Sequence, residues 1–251
     1  MTTKLRILAA IRDRFKFTVG KRLIVAGNGP SGRSYDEVVE KLADDVAVLS
    51  ALNEDALRAA LIGGLLANDK LAVFYEIDEA RLRDAHREFD QAAISAPNHA
   101  LATAFPFTLT ETALKTLPLN EPVPVHLLEM EGATALLFAT VRLVEKRENI
   151  DVRHLSPALT SMYESVVGVT KQYVHSMNAV ILPYSGSIAY ILSDNSEKTT
   201  PVSAQLDQIS IRNAANQILG GGFFSKPINL FGSIKNLYKA PTEGDVALLS
   251  H

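Results

Sequence analysis

The chain has 251 residues, 47% of them apolar and 21% charged, with a formal net charge of −3. This balance suits one large or two modest globular domains with a sizeable core and excludes disorder on a large scale. The absence of cysteine excludes disulfides, thiolate zinc sites, cysteine nucleophiles and cysteine-ligated iron–sulfur clusters.

The charge is unevenly spread. Residues 1–33 hold eight Lys or Arg and one acid, a balance of +7, whereas residues 34–131 hold seven basic and 18 acidic residues, a balance of −11. A helix is predicted over residues 4–14, where Leu5, Ile7, Leu8 and Ile11 recur at near-helical spacing. The apolar run 7–11 is too short for a secretory signal, and no stretch approaches the roughly 20 apolar residues that span a bilayer. A cytoplasmic protein without a transmembrane segment is therefore expected.

Two β segments, 15–19 and 22–27, are expected about Gly20. They lead into the loop Gly27-Asn28-Gly29-Pro30-Ser31-Gly32. Ser34 and Glu37 form a capping box for a helix whose apolar face is Val38, Val39 and Leu42. Residues 46–50 read as a short strand. Asn53 caps the next helix, with Leu57, Leu61 and Leu65 as its buried stripe. Residues 71–77 read as a strand, and Asp78 caps a charged helix that turns Leu82, Ala85 and Phe89 inward.

Residues 95–103 read as a loop, which places a boundary near residue 100. Thr108 and Glu111 mark a brief helix. A hairpin follows, with strands 125–130 and 133–145 about Glu131-Gly132. Ser156 and Pro157 start a helix that Gly168 ends, with Leu159, Met162, Tyr163, Val166 and Val167 on one face. A second hairpin, 174–182 and 187–192, precedes a helix over 202–219, stopped by three glycines at 220–222. A last strand is expected at 246–249. Together these elements predict an α+β fold: an N-terminal α/β layer over residues 1–100, then antiparallel hairpins with helices packed on one face over residues 101–251.

Three features carry the functional expectations. The apolar run into Gly27, Gly29 and Gly32 resembles the opening strand and G-x-G-x-x-G loop of FAD- or NAD-binding Rossmann domains. Its Gly-Asn-Gly-Pro-Ser stretch resembles that of some bacterial sialyltransferases, which bind a nucleotide sugar. The resemblance implies a nucleotide cofactor site at Gly27, Asn28, Gly29, Ser31 and Gly32; the alternative is a tight surface loop. The basic residues Lys4, Arg6, Arg12, Arg14, Lys16, Lys21, Arg22 and Arg33 form a candidate nucleic-acid-binding segment, or else pair with the acidic middle of the chain. Phe223, Phe224, Phe231 and Tyr238, interspersed with Lys226, Lys235 and Lys239, could stack on bases or pack in the core.

Catalytic signatures are wanting. His86, His99, His126, His154 and His175 have no metal-ligand spacing, and neither a nucleophile elbow nor a Walker loop is present. The expected function is a non-catalytic binding protein acting on nucleic acid or another protein, alone or as a homo-oligomer. The alternatives are a nucleotide- or dinucleotide-binding enzyme or sensor using the glycine loop, and a scaffold subunit whose hairpin edges pair with another chain.

Overall fold

The computed structural model describes residues 3–95, 98–163, 165–195 and 201–230. Five helices come first: α1 (Thr3–Arg14), α2 (Phe17–Ala26), α3 (Tyr35–Asp44), α4 (Val46–Ala51) and α5 (Glu54–Ala67). Strand β1 (Lys70–Glu76) then leads through a 3-10 turn into α6 (Leu82–Ser95), followed by the short helices α7 (Ala100–Ala104) and α8 (Glu111–Leu114). The rest is β2 (Val123–Met130), β3 (Ala133–Asn149), α9 (Pro157–Met162), β4 (Val167–Pro183), β5 (Ile188–Asp194), α10 (Pro201–Ile218) and β6 (Lys226–Pro227). No helix among the described residues is long and apolar enough to cross a membrane.

The six strands among the described residues form one sheet in the order β2-β3-β4-β5-β1-β6, and every neighbouring pair is antiparallel. The α+β class is therefore correct, and both expected hairpins are present. Strand β1 pairs with β5, so the sheet runs across the boundary expected near residue 100. Two expectations change at this level. The first 100 residues are not an alternating α/β layer; they supply a helical cluster and a single strand. Helices cover both faces of the sheet, not one. One face buries Ala135, Leu137, Ala139, Met177, Ala179 and Ile181 against α1, α2 and α5. The other buries Leu136, Phe138, Val180 and Leu182 against α6 and α10. This division follows from the two-residue alternation of side chains along β3 and β4.

Local corrections have local causes. The β segments expected at 15–19 and 22–27 are one helix, α2. Gly20 and Ile24 are its buried residues, four apart, and Tyr35 packs so close to Gly20 that a Cβ there would lie 1.8 Å from the Tyr35 hydroxyl. Packing thus overrides the β propensity of the Leu-Ile-Val run. Residues 46–50 are likewise helical, because the Asp45 carboxylate accepts from the amides of Ala47 and Val48 and caps α4. The helix expected from Ser156 to Gly168 stops at Met162. Val167 and Gly168 instead pair with Asn149 and Glu148, extending β4. His99 caps the short helix α7 inside the expected loop 95–103. Val39, expected on the buried face of α3, is 50% exposed. The strand expected at 246–249 lies outside the described residues.

The face under α10 contains one closed ionic cluster. Arg142 Nε donates to Asp207 Oδ1 at 2.7 Å, and its Nη2 donates to the Ser203 carbonyl. Ser176 Oγ donates to Asp207 Oδ2 at 3.2 Å. Burial pushes the Asp207 carboxyl up, while Arg142 and Ser176 draw it back. Arg142→Met should cost about 3–5 kcal/mol in urea unfolding because it strands a buried carboxylate. Combining it with Asp207→Leu should recover most of that loss; equal instability of the single and double variants would show that the pair's charge is not the cause.

Candidate functional site

The opposite face has a polar cavity of about 470 Å³ between the end of α1, α8 and strands β1, β4 and β5. Its floor is built from four side chains. Arg14 ends α1 three residues after Ile11 and seven after Ile7, both fully buried, so the helix carries its guanidinium onto the same inward stripe. His175 shares the face of β4 with Met177, Ala179 and Ile181 and is 9% exposed. Lys70 opens β1 opposite Asp194, the last residue of β5. Asp13, Thr108, Glu111 and Tyr173 also line the cavity.

The contacts on this floor are incomplete. Lys70 Nζ donates to the Met177 carbonyl at 2.7 Å and lies 3.6 Å from Asp194 Oδ1. Arg14 Nη2 and His175 Nδ1 are 3.3 Å apart. A guanidinium only donates, so Nδ1 must accept, and a neutral ring then carries its proton on Nε2. That Nε2 and Arg14 Nε are sealed from solvent and have no hydrogen-bond partner among the described residues.

Burial dominates the electrostatics. It lowers the Arg14 guanidinium to about 10, against the opposing pull of Asp194 and Asp13, so Arg14 stays charged at neutral pH. Burial also lowers Lys70, with Asp194 drawing it back up and Arg14 pushing it further down. His175 is held well below its ordinary value by burial first and by Arg14 second, which keeps it neutral.

The basic segment is divided among several tasks. Lys4 Nζ donates to the Ser50 carbonyl at 3.0 Å, at the end of α4. Arg6 stacks over Phe107 at 4.3 Å from the ring centre, and Arg12 pairs with Asp13 at 3.4 Å. Arg14 and Lys16 line the cavity, Lys21 is half-buried, and Arg22 and Arg33 are exposed. In the tail, Phe223 and Phe224 are core residues and Lys226 is exposed; Phe231, Lys235, Tyr238 and Lys239 lie outside the described residues.

The glycine loop lies between two helices, where the dinucleotide fingerprint has a strand before it. Asn28, at φ 60°, and Gly29 end α2 in a Schellman arrangement: the Asn28 amide donates to the Val25 carbonyl at 3.0 Å and the Gly29 amide to the Ile24 carbonyl at 2.9 Å. A Cβ at Gly27 would lie 2.2 Å from Leu57 Cγ, one at Gly29 would lie 2.8 Å from the Ile24 carbonyl, and one at Gly32 would lie 3.0 Å from Val38 Cγ2. The amides of Gly27, Asn28 and Gly29 are spent within the helix end, and the Ser31 carbonyl accepts from Lys41 Nζ at 2.7 Å.

Sequence reasoning included Arg14 only as part of a basic patch and missed Lys70, His175 and Asp194. The signals were available for two of them: Arg14 falls on an apolar helical stripe, and His175 falls on an apolar strand alternation. Lys70 and Asp194 meet only through the pairing of β1 with β5. Among the described residues no group of three or more His, Asp or Glu side chains could hold a metal ion.

The depressed His175 has a consequence for stability. Below its ordinary value of 6.5 the unfolded ring binds a proton that the folded ring refuses, so folding stability falls as the pH drops through that value. His126, also lowered by burial, contributes in the same direction. His175→Gln keeps an acceptor for Arg14 but removes this titration. Urea unfolding from pH 8 down to pH 5 should give the variant the flatter stability profile; equal slopes would contradict the assignment.

Comparison of the chain with protein-family models, with curated proteins and with solved structures finds no match.

Proposed function

We propose that this chain is a binding protein whose ligand is a small polar molecule seated in the cavity over Arg14, Lys70, His175 and Asp194. One observation carries this reading. Two cations, Arg14 and Lys70, a carboxylate, Asp194, and a neutral imidazole, His175, converge from four elements on one cavity of about 470 Å³. The volume falls in the usual range of small-molecule sites, and the convergent polar groups suit a polar ligand. A nucleic-acid footprint has less support, since Lys4, Arg6 and Arg14 are engaged by the chain itself. A nucleotide at the glycine loop has less support because its amides close α2.

The test is a thermal-shift screen of the whole chain against small polar compounds. A binder at 100 times its Kd should stabilise the fold by about 2.7 kcal/mol. Thr108 is an exposed lining residue, so Thr108→Trp fills the cavity and should erase the shift. A compound that stabilises both proteins equally binds elsewhere, and a panel without any stabiliser argues against the cavity as a site.

A second reading, pairing with another chain, is favoured by the outer part of the β3–β4 ribbon. The strands pair with each other to Asn149 and Val167, but no further strand borders this part among the described residues. Leu143, Val167 and Val169 are exposed on one of its faces. Such an edge accepts an added strand, and a lysine on it discourages pairing. Val169→Lys should then abolish any self-association or partner recovery seen with the wild type. A wild-type chain that sediments as a monomer and recovers no partner counts against this reading.

A further inference from the structure

We infer that Lys70 captures a small uncharged aldehyde in this cavity as a Schiff base. The inference rests on the reading of the cavity as a ligand site and adds the ligand's chemical class and the bond that holds it. Lysines are mostly solvent-exposed, yet the Lys70 side chain is 8% exposed and the residue lines the cavity. Its Nζ is held by the Met177 carbonyl at 2.7 Å. Burial disfavours the ammonium, and the Arg14 charge disfavours it further, which favours the neutral amine whose lone pair attacks a carbonyl carbon. Asp194 Oδ1, 3.6 Å away, opposes that trend and is also placed to receive the proton the amine gives up.

The reaction needs no further reagent. The Lys70 ammonium passes one proton to Asp194, and the amine lone pair forms the C–N bond as the carbonyl π electrons move onto oxygen. That oxygen takes one proton from nitrogen and one back from Asp194 and leaves as water, while the nitrogen lone pair closes the C=N bond. The product iminium keeps one proton and its positive charge beside the Asp194 carboxylate. Three cations and four carboxylates line the cavity, and capture of an uncharged carbonyl compound leaves that balance unchanged. An oxo acid would add to the excess of carboxylates, and an ammonium beside the reacting carbon would meet Arg14 and the new iminium. Phe15, Leu65, Leu109 and Leu114 give the wall an apolar part that suits a short carbon chain.

Reductive trapping of the full chain with butanal and cyanoborohydride at neutral pH tests this, with peptide mass spectrometry reading the butyl group on each lysine. Lys70 should label at least about tenfold faster than the exposed Lys226, because its ammonium is disfavoured and a proton acceptor stands beside it. The cavity-filling Thr108→Trp should slow Lys70 by at least about tenfold and leave Lys226 unchanged. If that variant does not fold, the ratio of the two lysines in the wild type still decides. Glyoxylate in place of butanal should give a smaller ratio of Lys70 to Lys226 labelling; a larger one would overturn the uncharged class. Fast labelling of Lys70 that Thr108→Trp does not slow would overturn capture in this cavity. Equal rates at the two lysines, or a label on Lys70 that appears only in urea, would overturn the inference. Only the additional absence of any stabiliser in the wider panel removes the cavity reading with it.

Discussion

The register of β3 against β4 is the constraint on which the rest depends. Seventeen residues of each strand pair without interruption, from Ala133 opposite Pro183 to Asn149 opposite Val167. Because side chains alternate, this pairing decides which residues face the helical cluster and which face α10. A slip of one residue would turn His175 toward α10 and Ser176 toward α1. The Arg142–Asp207 cluster and the cavity floor are both products of this single alignment.

The two centres treat buried charge differently. Under α10, Arg142 and Asp207 satisfy each other, and Ser176 takes up the second carboxylate oxygen. That cluster is closed, and its role is explained by the packing of α10 on the sheet. Under α1, Arg14 has a neutral histidine as its partner and keeps its charge. Asp194 and Asp13 offset part of the cost of desolvating that guanidinium. On the α1 side the charges of Arg14, Lys70 and Asp194 instead line an open cavity.

Much of the architecture was legible in the sequence, and the failures share a cause. The capping residues Ser34, Asn53 and Asp78 each cap the turn predicted for them, since a cap is a local hydrogen bond. Both hairpins were legible from alternation and turn residues. Residues 15–27 and 46–50 were misread because short apolar runs with β-branched residues fit strand and helix alike. Tertiary contacts, Tyr35 on Gly20 and the Asp45 cap, decide between them. The site was the least legible part. Its four floor residues come from α1, β1, β4 and β5, and only the non-local order β4-β5-β1 brings Lys70 and Asp194 beside His175. The glycine loop misled in the opposite sense: a helix end needs a left-handed residue and close backbone approach for the same steric reasons that a phosphate loop does.

The proton on His175 tests the account most directly, because Nδ1 accepts from the Arg14 guanidinium only if the ring is neutral and protonated on Nε2. Long-range nitrogen–proton correlation NMR of the uniformly labelled, ligand-free chain at neutral pH reads both ring nitrogens. A neutral His175 with its proton on Nε2 and a bare Nδ1 facing Arg14 is the expected result. A ring that is charged, or protonated on Nδ1, could not accept from Arg14, and the arrangement described for the cavity floor would be contradicted.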